Sequence, residues 1–264
     1  MADLHSLAFE VRGHLAHMTL NRPEAANAIN FEMARELEEV ALMCDQDPAI
    51  RAIMLTGAGR IFCGGGDLKS FAACPPADLP RLLKQLTFHL HRAIYLLARM
   101  DAPLVIGVSG NAGGAGMSLA AAGDIVVAGE SARFTLAYTR VGLSPDGSST
   151  YFLPRLIGLR RTMELALTNR TISAREAENW GIVTRVVPDA EVAAQTESIA
   201  AELANGPTRS FGAVKRLLYA TANSTLDDQM ELETEAIADL ARSEDSREGI
   251  TAFLAKRAPA FKGR

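Results

Sequence analysis

The sequence predicts an α/β fold that gives way to a helical C-terminal part. Three observations carry this reading. Short apolar runs alternate with amphipathic stretches to about residue 187, the pattern of right-handed crossover units on a mostly parallel sheet. From 190 to 257 the pattern is helical, with breaks at Gly206-Pro207 and near Ser224. At 264 residues and 48% hydrophobic, the chain has material for one large core. Two regions follow, an α/β core over 1–187 and a helical region over 188–264.

The first 20 residues read as two strands, about 7–12 and 15–20, joined at Gly13-His14. Asn30 is placed to cap a helix over 31–46 that ends near Pro48. RAIMLTG (51–57), PLVIGVSG (103–110) and DIVVAG (124–129) are short apolar runs of the kind that form buried strands. Helical patterns cover about 78–100, 114–122 and 145–157. GLRRTMELALT (158–168) is amphipathic, and Ser173 and Glu176 have the spacing of a capping box. VTRVVP (183–188) allows at most one short strand.

Composition excludes several classes. The net charge of −4 and pI near 5.8 argue against a nucleic-acid or membrane-surface partner. There is no run of 18 apolar residues, and the opening MADLHSLAFEVRG is too polar for a secretory leader. Cys44, Cys63 and Cys74 are an odd count without a CxxC pair, which reads as reduced thiols and a cytoplasmic setting. The five histidines, His14 and His17 on a strand among them, show no metal-ligand spacing, so no metal site is expected.

Two glycine-rich turns follow strands: GRIFCGGGDLKS (59–70) and GNAGGAGMSLAAAGD (110–124). Neither contains a Walker A loop or a GxGxxG fingerprint. One reading is two tight turns that need positive φ. The other is a pair of backbone amides at strand-to-helix junctions, converging on one oxygen as an oxyanion hole.

NRPEAANAIN (21–30), FCGGGDLK (62–69), NAGGAGMSLAAAGDIVVA (111–128), GLSPDGSSTYFLPRLIG (142–158), LTNRTISAREAENWGIVTRVVP (167–188) and FLAKRAPAFKGR (253–264) occur in order. In sequence and spacing they resemble the crotonase (enoyl-CoA hydratase/isomerase) superfamily over nearly the whole chain. The resemblance implies a spiral of ββα units with a helical C-terminal trimerisation region, assembled as a homotrimer or a dimer of trimers. It also implies an acyl-CoA thioester substrate whose carbonyl sits between two backbone amides. Coenzyme A is then part of the substrate, and no cofactor is implied. Carried over position by position, the amides are those of Gly66 and Ala115. Ala25, Ala26, Gly64, Gly65, Asp67, Leu68, Lys69 and Gly114 fall on substrate-binding positions, and Lys69 on one that meets CoA phosphates. Phe253 and Lys256 match positions that close over CoA; a solvated lysine and a solvated tail are the plain alternatives.

Hydratases of this family use two glutamates to add water. Here those positions fall on Ser118 and Tyr138, neither of which is a carboxylate. The carboxylate that remains in this frame is Asp146. The sequence places it in the first turn of a helix capped by Ser144, with Pro145 at N1. There it either complements the helix dipole or does chemistry. Family members with aspartate at this position include ring-epoxyphenylacetyl-CoA isomerase, dienoyl-CoA isomerases and 4-chlorobenzoyl-CoA dehalogenase. In the isomerases the carboxylate moves a proton. In the dehalogenase it attacks the ring, beside a histidine and a tryptophan whose positions fall on His91 and Tyr138. Three functions stay open. The favoured one is an enoyl-CoA isomerisation through a thioester enolate, because one carboxylate suffices for it. The others are a dehalogenase-like hydrolysis with Asp146 as nucleophile, and a non-catalytic relative that binds acyl-CoA or RNA.

Overall fold

β1 (Leu7–Arg12) and β2 (Leu15–Leu20) pair antiparallel, with the turn at Gly13-His14 where the sequence places it. His14 lies in that turn rather than on a strand. The computed structural model describes residues 4–264. After the hairpin, α1 (Phe31–Gln46) starts at Asn30, whose side chain accepts from the Met33 amide. β3 (Ala52–Gly57), α2 (Leu68–Ala73), α3 (Leu79–Arg99), β4 (Leu104–Val108), β5 (Asn111–Gly113) and α4 (Ala115–Ala121) follow. Next come β6 (Ile125–Gly129), β7 (Arg133–Thr135), α5 (Ser149–Thr168), β8 (Ile172–Ser173), α6 (Ala174–Trp180) and β9 (Arg185–Val187). Four helices close the chain: α7 (Val192–Ala204), α8 (Thr208–Ala220), α9 (Leu226–Leu240) and α10 (Glu244–Leu254).

The strands form two sheets. The larger has the order β1-β2-β3-β4-β6-β9 and is parallel from β2 onward; the smaller has the order β5-β7-β8. Successive circuits of the chain visit both: β4 then β5, β6 then β7. This is the spiral of ββα units that the resemblance implies, followed by the helical region. The period of two along each strand explains why the large sheet is covered on both faces. Ile53 and Leu55 on β3, with Leu104 and Ile106 on β4, join the main core. The intervening Met54 and Val105 pack on the other face against Ala200 and Ala204 of α7. Truncating fully buried Leu55 to alanine costs about 2–5 kcal/mol.

Two local readings are corrected. The helix expected over 145–157 starts at Ser149, behind Ser148 in the left-handed region. It runs on to Thr168, bent at Gly158. Ser144 and Pro145 are therefore not its cap and first residue. Ser173 does cap α6 by accepting from the Glu176 amide, but the Glu176 carboxylate pairs with Arg170 instead of closing the box.

Candidate active site

The two glycine-rich turns are brought together by main-chain bonds. Cys63 bridges to Ala112, and the Gly113 amide donates to the Cys63 carbonyl at 2.9 Å. Gly66 bridges to Ile29, with the Asp67 amide donating to the Ile29 carbonyl at 2.9 Å. The approach leaves no room for side chains. A Cβ on Gly65, at φ 109, would lie 3.0 Å from the Gly113 carbonyl oxygen. Gly114 has φ 48 and ψ −120, a conformation that glycine adopts without strain. Ala115 is then the first residue of α4.

The amides of Gly66 and Ala115 donate to no other group among the described residues. For Ala115 this follows from position, because the first amides of a helix have no intrahelical acceptor. Both residues line one cavity of about 530 Å³. Its apolar wall comes from Leu68, Phe71, Leu83, Leu86, Leu90 and Leu143. Lys84 and Arg140 also reach it.

Asp146 is the one carboxylate residue among the described residues of the lining. It stands on the loop before α5, not within a helix, so the helix-dipole reading loses its geometry. Its Oδ1 accepts from the Tyr138 hydroxyl at 2.5 Å, and the Tyr138 oxygen lies 3.0 Å from the Ser118 hydroxyl. Ser118 and Tyr138 thus form a hydroxyl pair that ends on Asp146. Burial pushes the Asp146 carboxyl above the usual aspartate range, against the opposing pull of the Tyr138 hydroxyl. Burial and the Asp146 charge hold the Tyr138 phenol protonated well past its ordinary range. Burial pushes the Cys63 thiol up to about 12, so no thiolate stands beside the glycine turns.

Of the site residues read from the sequence, Gly64, Gly65, Gly66, Leu68, Gly114, Ala115, Tyr138 and Asp146 meet at this cavity. Ala25, Ala26, Asp67, Lys69, His91, Phe253 and Lys256 do not line it. The Ala26 carbonyl accepts from the Gly64 amide, which sets the 22–27 segment against the first turn. The Asp67 carboxylate is engaged internally. It caps α2 at the Ser70 amide and pairs with Arg22 at 2.9 Å, and these contacts outweigh burial and hold its pKa low. Lys69 is exposed, and Phe253 is 83% exposed. His91 is exposed, and its Nε2 accepts from the Gly147 amide at 3.1 Å. Sequence reasoning passed over Leu83, Leu86, Thr87 and Leu90. Their i, i+3, i+4, i+7 spacing on α3 was the available signal.

The family model described as Enoyl-CoA hydratase/isomerase matches residues 10–264. The chain belongs to the enoyl-CoA hydratase/isomerase family. It is 40% identical over 247 residues to the 1,2-epoxyphenylacetyl-CoA isomerase of Escherichia coli, covering 94% of each chain. It is 33% identical over 233 residues to an Arthrobacter 4-chlorobenzoyl coenzyme A dehalogenase, covering 88% of this chain and 84% of that protein. A crystal structure of an enoyl-CoA hydratase from Polaromonas superposes with a TM-score of 0.92 at 30% identity, covering 97% of this chain and 99% of the other. The enoyl-CoA hydratase/isomerase frame therefore spans the cavity from the first glycine turn to Asp146. No described helix is long and apolar enough to cross a membrane.

Proposed function

We propose that this member of the family shifts the double bond of an enoyl-CoA thioester. The observation that carries the reading is a single carboxylate in a cavity with two unengaged amides. The thioester oxygen accepts from the Gly66 and Ala115 amides. Asp146 takes the proton from C2 of a 3-enoyl-CoA, and the electron pair of that C–H bond passes into the dienolate held at the oxygen. Asp146 then returns the proton at C4, leaving the double bond between C2 and C3. Tyr138 occupies one carboxylate oxygen and leaves the other for the proton. A carboxyl raised by burial is a stronger base than a solvated aspartate, which suits a weakly acidic thioester. A relative named as an isomerase, at 40% identity, supports this reaction class.

Hydrolysis through Asp146 and His91 is less well supported, because the His91 Nε2 is engaged by a backbone amide and the ring does not line the cavity. A homotrimer or dimer of trimers is supported by exposed apolar side chains on α8, α9 and α10, among them Leu218, Leu226, Ile237 and Leu254. Three free thiols suit a cytoplasmic setting.

The test is trans-3-hexenoyl-CoA, followed by absorbance of the conjugated product. Asp146→Asn keeps the shape and removes the base. Turnover is expected to fall at least about a hundredfold, the scale of a lost general base. A variant that keeps full activity refutes the assignment.

A further inference from the structure

Asp146 needs a fixed direction as well as a raised basicity, and the loop that carries it lies outside regular structure. The peptide unit joining Asp146 to Gly147 is held at both ends. Its carbonyl accepts from the Ser149 amide at 3.2 Å and from the Ser149 hydroxyl at 2.9 Å. Its N–H donates to the His91 Nε2 at 3.1 Å. The Ser149 bonds are local to the start of α5. The His91 bond reaches across from α3, 56 residues earlier in the chain, and ties the loop to the wall of the cavity.

Gly147 is itself wedged. It is buried, with φ 58, and a Cβ there would lie 2.8 Å from the Ser118 Cβ and 3.7 Å from the Ile94 side chain. The orientation of this peptide plane sets the direction in which the Asp146 side chain leaves the backbone. The Tyr138 hydroxyl then fixes one carboxylate oxygen.

We propose that His91 is a positioning residue for the proton shift, accepting the Gly147 N–H so that Asp146 faces the acyl group. The proposal rests on the reading of Asp146 as proton carrier. His91 does not touch substrate. A ring nitrogen that accepts a backbone N–H carries no proton of its own, and using that lone pair as a base would break the bond that holds the loop.

Glutamine separates positioning from proton transfer, because its side-chain oxygen accepts an N–H but takes up no proton. On trans-3-hexenoyl-CoA, His91→Leu is expected to lower kcat about ten- to a hundredfold through misplacement of the carboxylate, with KM changed less than about twofold. His91→Gln is expected to recover most of that loss, and thermal unfolding checks that both variants fold. Equal losses in the two variants overturn the proposal, as does a His91→Leu enzyme running at full rate. Nitrogen NMR of the histidine rings in the wild-type enzyme, at mildly alkaline pH, needs no variant and no substrate. It is expected to find the His91 Nε2 unprotonated and hydrogen-bonded, and a protonated Nε2 overturns the proposal. Full activity in Asp146→Asn refutes the proton-carrier reading instead, and leaves the ring measurement standing.

Discussion

At the scale of residues, the pKa of Asp146 is set by burial on one side and the Tyr138 hydroxyl on the other. Burial wins, so the acid limb of kcat/KM for the isomerisation is expected above the ordinary aspartate value of 3.8. Tyr138 donates to the charged form and lowers the pKa. Tyr138→Phe is therefore expected to move that limb to higher pH, and a limb that stays put or moves down contradicts the assignment. The same shift has a stability side. Above the unfolded pKa, native Asp146 holds its proton longer than the unfolded chain does. It thus costs stability as pH rises through the folded pKa. Asp146→Asn is expected to remove that loss, seen as a smaller fall in melting temperature across this range. The Ala115 amide can be deleted by proline, which the first position of a helix tolerates. Gly114 before it, at ψ −120 and lacking Cβ, avoids the usual clash with a proline ring. Ala115→Pro is expected to lower kcat about 10²–10³-fold while leaving α4 folded by circular dichroism.

At the scale of elements, legibility followed length and punctuation. β1, β2, α1 and α3 were readable because each combines a clear period with a cap or a breaker at its ends. β5, β7 and β8 have only two or three residues each and escape any pattern of period two. The break between α9 and α10, at 241–243, contains neither glycine nor proline; its signal is only the Ser243 cap on the Ser246 amide. At the start of α5, Ser-Pro-Asp imitates a helix entrance, whereas Gly147 and Ser148 at positive φ delay it to Ser149. A buried polar contact helps to anchor α8 to the core. The Lys215 ammonium on α8 meets Asp124 at 2.8 Å and donates to the Leu97 and Ala102 carbonyls. Burial raises the Asp124 pKa even so, with Lys215 opposing. Lys215→Met leaves that carboxyl buried without its cation, and a loss of about 3–5 kcal/mol is expected in urea unfolding.

For the whole molecule, the glycine turns and the aspartate could be found in the chain, whereas the volume between them depends on contacts far apart in sequence. Gly66, Ala115 and Asp146 were legible as individual positions. The Ser118–Tyr138–Asp146 hydroxyl chain was not, because it joins α4, the turn after β7 and the loop before α5. Outside the cavity, Leu226, Ile237, Phe253 and Leu254 are each more than 70% exposed. The proposed homotrimer or dimer of trimers would bury this apolar surface. Sedimentation is expected to give three or six times 28.2 kDa, and Ile237→Asp is expected to lower that mass. Hydration of crotonyl-CoA is expected to be weak, since Asp146 is the one carboxylate of the described lining; efficient hydration contradicts this.

The two glycine turns meet through backbone atoms alone, and this divides the molecule by how readily evolution can alter it. Side-chain substitutions at 118, 138 and 146 leave the Cys63–Gly113 and Ile29–Asp67 main-chain bonds in place. Under the proposed function, the half of the site that holds the thioester oxygen stays in place through such changes, while the half that handles the proton is altered. On that proposal, point substitutions at 118, 138 and 146 would change the reaction while the two amides keep their place around the carbonyl.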